Sequence, residues 1–506
     1  MKNLIFILSL LLLASCAEKK KKEDYSHPQK VIIAGKILNH NPNHKAVKLS
    51  VNKLGLSQEQ VFTETDAEGN FHATFETYLP VDVWVLYNTN FLTLVHPGDS
   101  LYIEFDGNHN DRPQLLETIK FSGDAAKANR EAARYQQMYY SNPVYHDWDA
   151  KSKAVKEYDM EQYLAYLDTV NMRNMEIYDR FVKEVSPSEE VKIWALIFAE
   201  SNYYHHLVYY PNDHRRANNL TKENWDVPSE FYNRMFERLP VEKSMLISAY
   251  SISGFVNKFH YYIARPKALA ADGVDSLIQF FPGGYAGEPR VIDSILINGI
   301  IEYTPDTLLR QMVLTEYFYG DLDRNNITGF EQNMNIIDNY IKEPFLIEPL
   351  LDKYEKTKNF MENPQIVTDA ILKEVSNSKA GEIMGEILAE NKGKVIYIDF
   401  WGTWCGPCIS EMPNSKKLMK EMSGQDVEFV YICIDSEETN WKAKIAELEL
   451  AGQHYFLTRE QSADIRKNFD IRGIPFYMLI NKNGTIVDKG SHIRPGSSKQ
   501  KIVELL

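Results

Sequence analysis

The chain has 506 residues, of which 44% are hydrophobic and 25% charged, with a formal net charge of −14. That length exceeds a single core and suggests about three domains of roughly 150 residues each; the composition is that of a globular chain, not a disordered one. The acidic balance argues against nucleic-acid binding, which needs a basic face toward phosphate.

The chain opens with MKNLIFILSLLLLASCAEKKKKED. Lys2 precedes an apolar run from Leu4 to Ala14 that only Ser9 interrupts. A spanning helix needs about 20 apolar residues, so this run is too short to stay as an anchor and fits the apolar region of a secretory signal peptide. Leu13-Ala14-Ser15-Cys16 resembles the lipobox of bacterial lipoproteins. That resemblance implies cleavage before Cys16, lipid on its thiol, and a membrane-tethered protein facing the periplasm. The competing reading is an ordinary signal peptide with a chance cysteine. Residues 1–16 are thus expected to be a signal peptide and 17–30 a charged, solvated tether. The other thiols are Cys405, Cys408 and Cys433. Export puts them in an oxidising compartment, yet one plausible pair does not make a disulfide scaffold.

From Val31 to Phe121 the hydrophobic period is two. Phe71, Ala73 and Phe75 alternate with His72, Thr74 and Glu76 after a turn at 66–70, and Leu101, Ile103 and Phe105 follow Pro97-Gly98-Asp99. Short alternating strands between turn signals predict a β-sandwich over 31–124. From 125 to 376 the period lengthens to that of helices, as in MEQYLAYLDTVNMRNMEIYDRFVKEV. Tyr203, Tyr204, Tyr209, Tyr210, Tyr261 and Tyr262 make this region aromatic-rich. Helix packing is the plain reading and a peptide-binding surface the sharper one. His205 and His206 are adjacent, which is poor spacing for two metal ligands on one helix face.

From 377 to 506 strands and helices alternate, which predicts a central sheet with crossover helices. KVIYIDFW and VEFVYICID are continuous apolar runs, as strands buried on both faces should be. Between them lies DFWGTWCGPCISEMP, Asp399 to Pro413. Cys405 follows a strand and opens a helix, where unpaired N–H groups and the helix dipole favour a thiolate. Cys408 lies one turn further on and points toward the core. Cys405 is therefore expected to attack a substrate disulfide and Cys408 to resolve the mixed disulfide. Gly406 and Pro407 suit the first helical turn, and Trp404 is expected to shield the site while leaving the sulfur exposed. Zinc is disfavoured because no second pair of Cys or His ligands accompanies the first. A purely structural bridge is disfavoured because it closes a tiny loop. Cys433, inside a buried strand, reads as a small hydrophobe. Asp399 sits in a buried strand, where a carboxylate is expensive.

DFWGTWCGPC followed by RGIPFYMLI resembles the thioredoxin superfamily, and the intervening NWKAKIAELELAGQHYFLT resembles its TlpA-like periplasmic branch. The resemblance covers about the last 130 residues. It implies that Asp399 accepts the proton of Cys408 during resolution and that Pro475 is a cis proline facing the cysteines. Ile474 would then pair its backbone with an extended substrate, beside Trp404, Gly406 and Pro407. No cofactor is expected beyond the redox-active cysteine pair. Residues 31–124 resemble the β-domains that precede thioredoxin-like domains in some bacterial lipoproteins. The implied activity is reduction of protein disulfides or sulfenylated thiols, with a membrane electron-transfer protein as donor. The alternatives are an envelope oxidase or isomerase, and a binding lipoprotein in which the redox domain is secondary.

Overall fold

The computed structural model describes residues 25–235, 242–281, 284–286, 288–304, 306–373, 375 and 379–506. The expected signal peptide, Cys16 and the first part of the tether lie outside the described residues. Two compact units divide the chain. One runs to Leu314 and takes back Tyr340–Glu348; the other holds Thr315–Asn339 and Pro349–Leu506.

The first unit begins with eight strands: β1 (Gln29–Leu38), β2 (Ala46–Val51), β3 (Glu59–Glu64), β4 (Asn70–Thr77), β5 (Val81–Leu86), β6 (Asn90–Val95), β7 (Ser100–Asp106) and β8 (Lys120–Gly123). They form two four-stranded sheets, ordered β4-β1-β7-β8 and β3-β2-β5-β6. Alternation decides their faces: Phe71, Ala73 and Phe75 are buried and stand opposite Gly35, Ile33 and Val31 of β1. Gly35 is required there, because a Cβ would lie 2.1 Å from the Ile103 carbonyl oxygen. The β3–β4 turn is locked by Asp66, whose Oδ1 accepts N–H groups of Glu68 and Asn70 at 3.0 and 2.8 Å.

Helices follow, with a short hairpin, β9 (Gln279–Phe281) and β10 (Gly284–Ala286), between them. Helix Ala126–Tyr140 lies along the open edge of β6. Asn129 accepts from the Leu94 N–H at 2.9 Å and donates to its carbonyl at 2.7 Å. Gln136, two turns on, does the same for Leu92, both at 2.8 Å. Two side-chain amides thus satisfy an edge that would otherwise stay unpaired. Helix Met160–Val185 starts at an Asp159–Gln162 capping box and buries Tyr163, Leu167, Asn171, Asn174, Ile177 and Phe181 at helical spacing. The tyrosines divide: Tyr203, Tyr204 and Tyr210 are buried, Tyr163 stacks on Tyr210 with centroids 3.8 Å apart, and Tyr209 and Tyr261 are exposed.

The second unit carries a six-stranded sheet of β11 (Ala370–Lys373), β12 (Val395–Trp401), β13 (Val427–Cys433), β14 (Gly452–Phe456), β15 (Phe476–Ile480) and β16 (Ile486–Gly490). The order is β11-β14-β13-β12-β15-β16. The first four strands in this order are parallel, β15 pairs antiparallel with β12, and β16 pairs antiparallel with β15. β11 lies in the stretch whose sequence reads as helical, because four residues are too few to display a period. β12 is buried along its whole length. Val395, Tyr397 and Trp401 face one layer, built on helices Gly406–Glu421, Glu438–Leu448 and Lys499–Val503. Ile396, Ile398 and Phe400 face the other, built on Ala380–Glu390 and Arg459–Phe469. The result is a three-layer α/β/α arrangement. Among the described residues no helix is long and apolar enough to cross a membrane.

Candidate active site

β12 ends at Trp401, and four residues later the chain enters helix Gly406–Glu421. Cys405 is the N-cap: its Sγ accepts the Cys408 N–H at 3.2 Å, and Pro407 occupies the first turn, where no N–H is needed. The helix start therefore aims unpaired donors and its dipole at sulfur, which favours a thiolate when the pair is reduced. Cys405 and Cys408 are joined as a disulfide, with Cα atoms 5.2 Å apart.

Cys405 is 3% exposed and Cys408 fully buried. This corrects the expectation of an exposed sulfur beneath a shielding tryptophan. Trp404 is itself 51% exposed, because its Nε1 donates to the Asp435 carbonyl at 2.8 Å and holds the ring over Gly402. A Cβ at Gly402 would lie 2.9 Å from that nitrogen. The Asp435 loop is anchored in turn by Arg466, 2.7 Å from the Asp435 carboxylate, and by the Ser462 hydroxyl, 3.1 Å from the Asp435 N–H. Gly406 and Pro407 are exposed. Ile474 is half-buried and packs against the cluster that contains both cysteines, and the Ile474–Pro475 peptide bond is cis.

Asp399 lies two residues before Trp401 on β12 and shares its face with Tyr397 and Trp401, under the active-site helix. In register it stands between Tyr431 of β13 and Tyr477 of β15. It is buried, and neither carboxylate oxygen has a hydrogen-bond partner. Burial pushes its carboxyl well above the ordinary carboxylate range, and the nearby charge of Glu411 adds to the rise. Glu411 and Arg494 are site residues absent from the sequence reading. Arg494 donates to Glu411 Oε1 at 2.8 Å. Hydrogen bonds from Asn414 and then Arg494 hold Glu411 below its usual range, so it stays charged. Its position three residues after Cys408, one turn along the helix, was the available signal; Arg494 gave none. Cys433 is fully buried, and burial pushes its thiol up to about 12, as suits an inert core residue.

A cysteine pair at the junction of a central parallel strand and its following helix, over a buried acid and packed with the isoleucine that precedes a cis proline, defines a thioredoxin-like domain. Residues 387–506 match the Redoxin family model. The chain is 29% identical over 121 residues to the thiol-disulfide oxidoreductase ResA of Bacillus thuringiensis subsp. konkukian, which is 24% of this chain and 65% of that protein. It is 29% identical over 103 residues to the ResA of Bacillus subtilis, 20% of this chain and 54% of that one. Less than two thirds of these relatives' length is thus spanned. The thioredoxin domain of a thiol-disulfide oxidoreductase from Bacteroides vulgatus aligns at 25% identity and a TM-score of 0.22, covering 23% of this chain and 82% of that one. Residues 387–506 are thus similar to the Redoxin family and to the ResA thiol-disulfide oxidoreductases, and the likeness is confined to this C-terminal domain.

Proposed function

We propose that the protein is a thiol–disulfide oxidoreductase that reduces protein disulfides, or sulfenylated thiols, in the cell envelope. The observation that carries this reading is Cys405: it caps a helix, takes the Cys408 N–H on its sulfur and pairs with Cys408 above an unpartnered buried acid. In the reaction, the Cys405 thiolate attacks one sulfur of a substrate disulfide, and the other leaves as a thiolate. Asp399 takes the proton of the Cys408 thiol. Cys408 then attacks Cys405, the second substrate thiolate leaves, and the Cys405–Cys408 disulfide closes with two electrons passed to substrate. An aspartate raised above the usual range lies closer in proton affinity to a thiol, which makes it a better matched acceptor than an ordinary carboxylate. Trp404, Gly406, Pro407, Ile474 and Pro475 form the docking surface for an extended substrate. No cofactor enters beyond the cysteine pair.

The oxidised pair must be recharged by a two-electron donor, for which a membrane electron-transfer protein is the fitting class. Lipid on Cys16 tethers the chain, with the redox domain facing the periplasm. The two four-stranded sheets of the first unit, β4-β1-β7-β8 and β3-β2-β5-β6, fit a β-sandwich, the second being covered by helices on part of its other face as well. The experiment is trapping. Cys408→Ala expressed in the native host accumulates mixed disulfides at Cys405, and the purified wild type reduces insulin in the presence of dithiothreitol. Insulin reduction that survives Cys405→Ser refutes the mechanism.

A further inference from the structure

A cavity of about 710 Å³ lies wholly within the first unit, within the range of small-molecule sites. One wall is the outward face of the sheet β3-β2-β5-β6, where Lys48 stands opposite Leu86 and Ser50 opposite Trp84. The alternation that buries Val47, Leu49 and Val51 turns Lys48 and Ser50 to this side. Helices Glu189–Asn218 and Ala249–Phe259 supply the opposite wall, with Tyr204, Tyr250 and Lys258.

The charge of the lining is one-sided. It holds three lysines and one arginine, and no aspartate or glutamate, in a chain whose net charge is −14. Lys53 is neutralised by Glu59 at 2.7 Å. Lys48 and Arg112 have no carboxylate partner among the described residues. The Arg112 guanidinium lies 4.0 Å from the Tyr140 ring centroid and 5.5 Å from that of Trp84, and its hydrogen bond goes to the neutral Asn90 amide. His205, also in the lining, is held down to about 4 by burial and by the positive charges of Lys258 and Lys151. A positive cleft without counter-charge suits an anion. The remaining lining is of two kinds. Trp84 and Tyr250 supply partly exposed ring surface, Tyr140 and Tyr204 are buried behind it, and Asn52, Ser251 and Ser253 supply buried polar atoms with no hydrogen-bond partner among the described residues: Asn52 Nδ2 and the two serine hydroxyls. Arg112 Nε is likewise unpartnered. Aromatic faces with amides and hydroxyls match the apolar faces and hydroxyl edges of sugar rings, and unsatisfied buried donors favour a ligand that accepts from them.

We propose that this cleft, between the outward face of the β3-β2-β5-β6 sheet and the two helices, binds an acidic oligosaccharide through carboxylate contacts to Arg112 and Lys48 and ring stacking on its aromatic wall. The site is independent of the cysteine chemistry. The test is titration calorimetry on the full chain at low salt with trigalacturonate, maltotriose and inorganic phosphate. Trigalacturonate binds at least about tenfold tighter than either of the others, the affinity falls as salt is added, and Arg112→Gln weakens it about tenfold, the worth of one charge-assisted contact. Lys48→Gln, at a half-buried position of β2 whose side chain faces the cleft, weakens it in the same sense while its far-UV circular dichroism and urea midpoint match the wild type, so a folding defect in the arginine variant does not decide the outcome. The proposal is overturned by absent trigalacturonate binding, by equal binding of maltotriose, by phosphate binding as tightly as the trisaccharide, or by a Lys48→Gln variant with unchanged affinity.

Discussion

Replacing Asp82 by asparagine isolates a single buried charge in the first unit. Asp82 lies in β5, two residues before Trp84 of the cleft, and is fully buried. It accepts the Tyr250 N–H at 2.8 Å and the Trp194 Nε1–H at 3.1 Å, and so ties the sheet to two helices. Burial outweighs both hydrogen bonds and pushes its carboxyl from 3.8 up to about 7. The folded chain therefore binds this proton more tightly than the unfolded chain does. Its effect on stability is nil below the unfolded value and becomes an increasing cost as the pH climbs through the window from about 4 to about 7, reaching about 4 kcal/mol above it. Asparagine cannot ionise. Its oxygen still accepts from Tyr250, but its NH2 then faces the Trp194 donor, a pH-independent loss of about 1–3 kcal/mol. Asp82→Asn is thus less stable than wild type near pH 4 and more stable near pH 8, and the two stability curves cross in between. Urea unfolding followed by far-UV circular dichroism at steps across that range reads the difference. If the free-energy gap between the two proteins stays constant with pH, Asp82 is not the strained acid described here.

Asp399→Asn removes the proposed proton acceptor and slows closure of the Cys405–Cys408 disulfide by about a hundredfold near pH 7, measured by stopped-flow quenching of a mixed disulfide. Because Asp399 is raised and buried, the same variant gains stability over wild type as pH rises; an unchanged or shrinking gap in thermal unfolding contradicts that. Asn129→Ala leaves the Leu94 N–H and carbonyl unpaired in a buried setting and costs about 2–3 kcal/mol in denaturant unfolding. In native protein reduced with dithiothreitol, iodoacetamide labels Cys405, whose thiolate the helix start favours, and leaves Cys433 unlabelled in peptide mass spectrometry, since burial without such a helix start holds the latter thiol up at about 12.

Legibility followed the range of the interaction. The alternation of Phe71, Ala73 and Phe75 marks a strand with one buried face, and the continuous run VIYIDFW marks one buried on both. Both are properties of neighbouring residues and can be read without a structure. The strand-to-helix junction around Cys405 is equally local, since the residues that make it are adjacent in the chain. β11 escaped because four residues carry no period, and the buried Cys405 escaped because it packs in a cluster built from distant elements, among them Ile474, Trp441 and Tyr477.

The sequence by itself determined the kinds of element, their order, and where a cysteine pair meets a helix start. Tertiary structure decided which distant side chains share an environment. Cross-strand register sets Tyr431 and Tyr477 beside Asp399, 32 and 78 residues away in the chain, and packing brings Arg494 to Glu411. It also gathers Lys48, Arg112 and Lys258 into one cleft without an acid. The physical reason is that periodicity records only which way a side chain faces. The pKa of an acid and the charge of a cavity depend on what faces it from other elements, and only the packed chain fixes that.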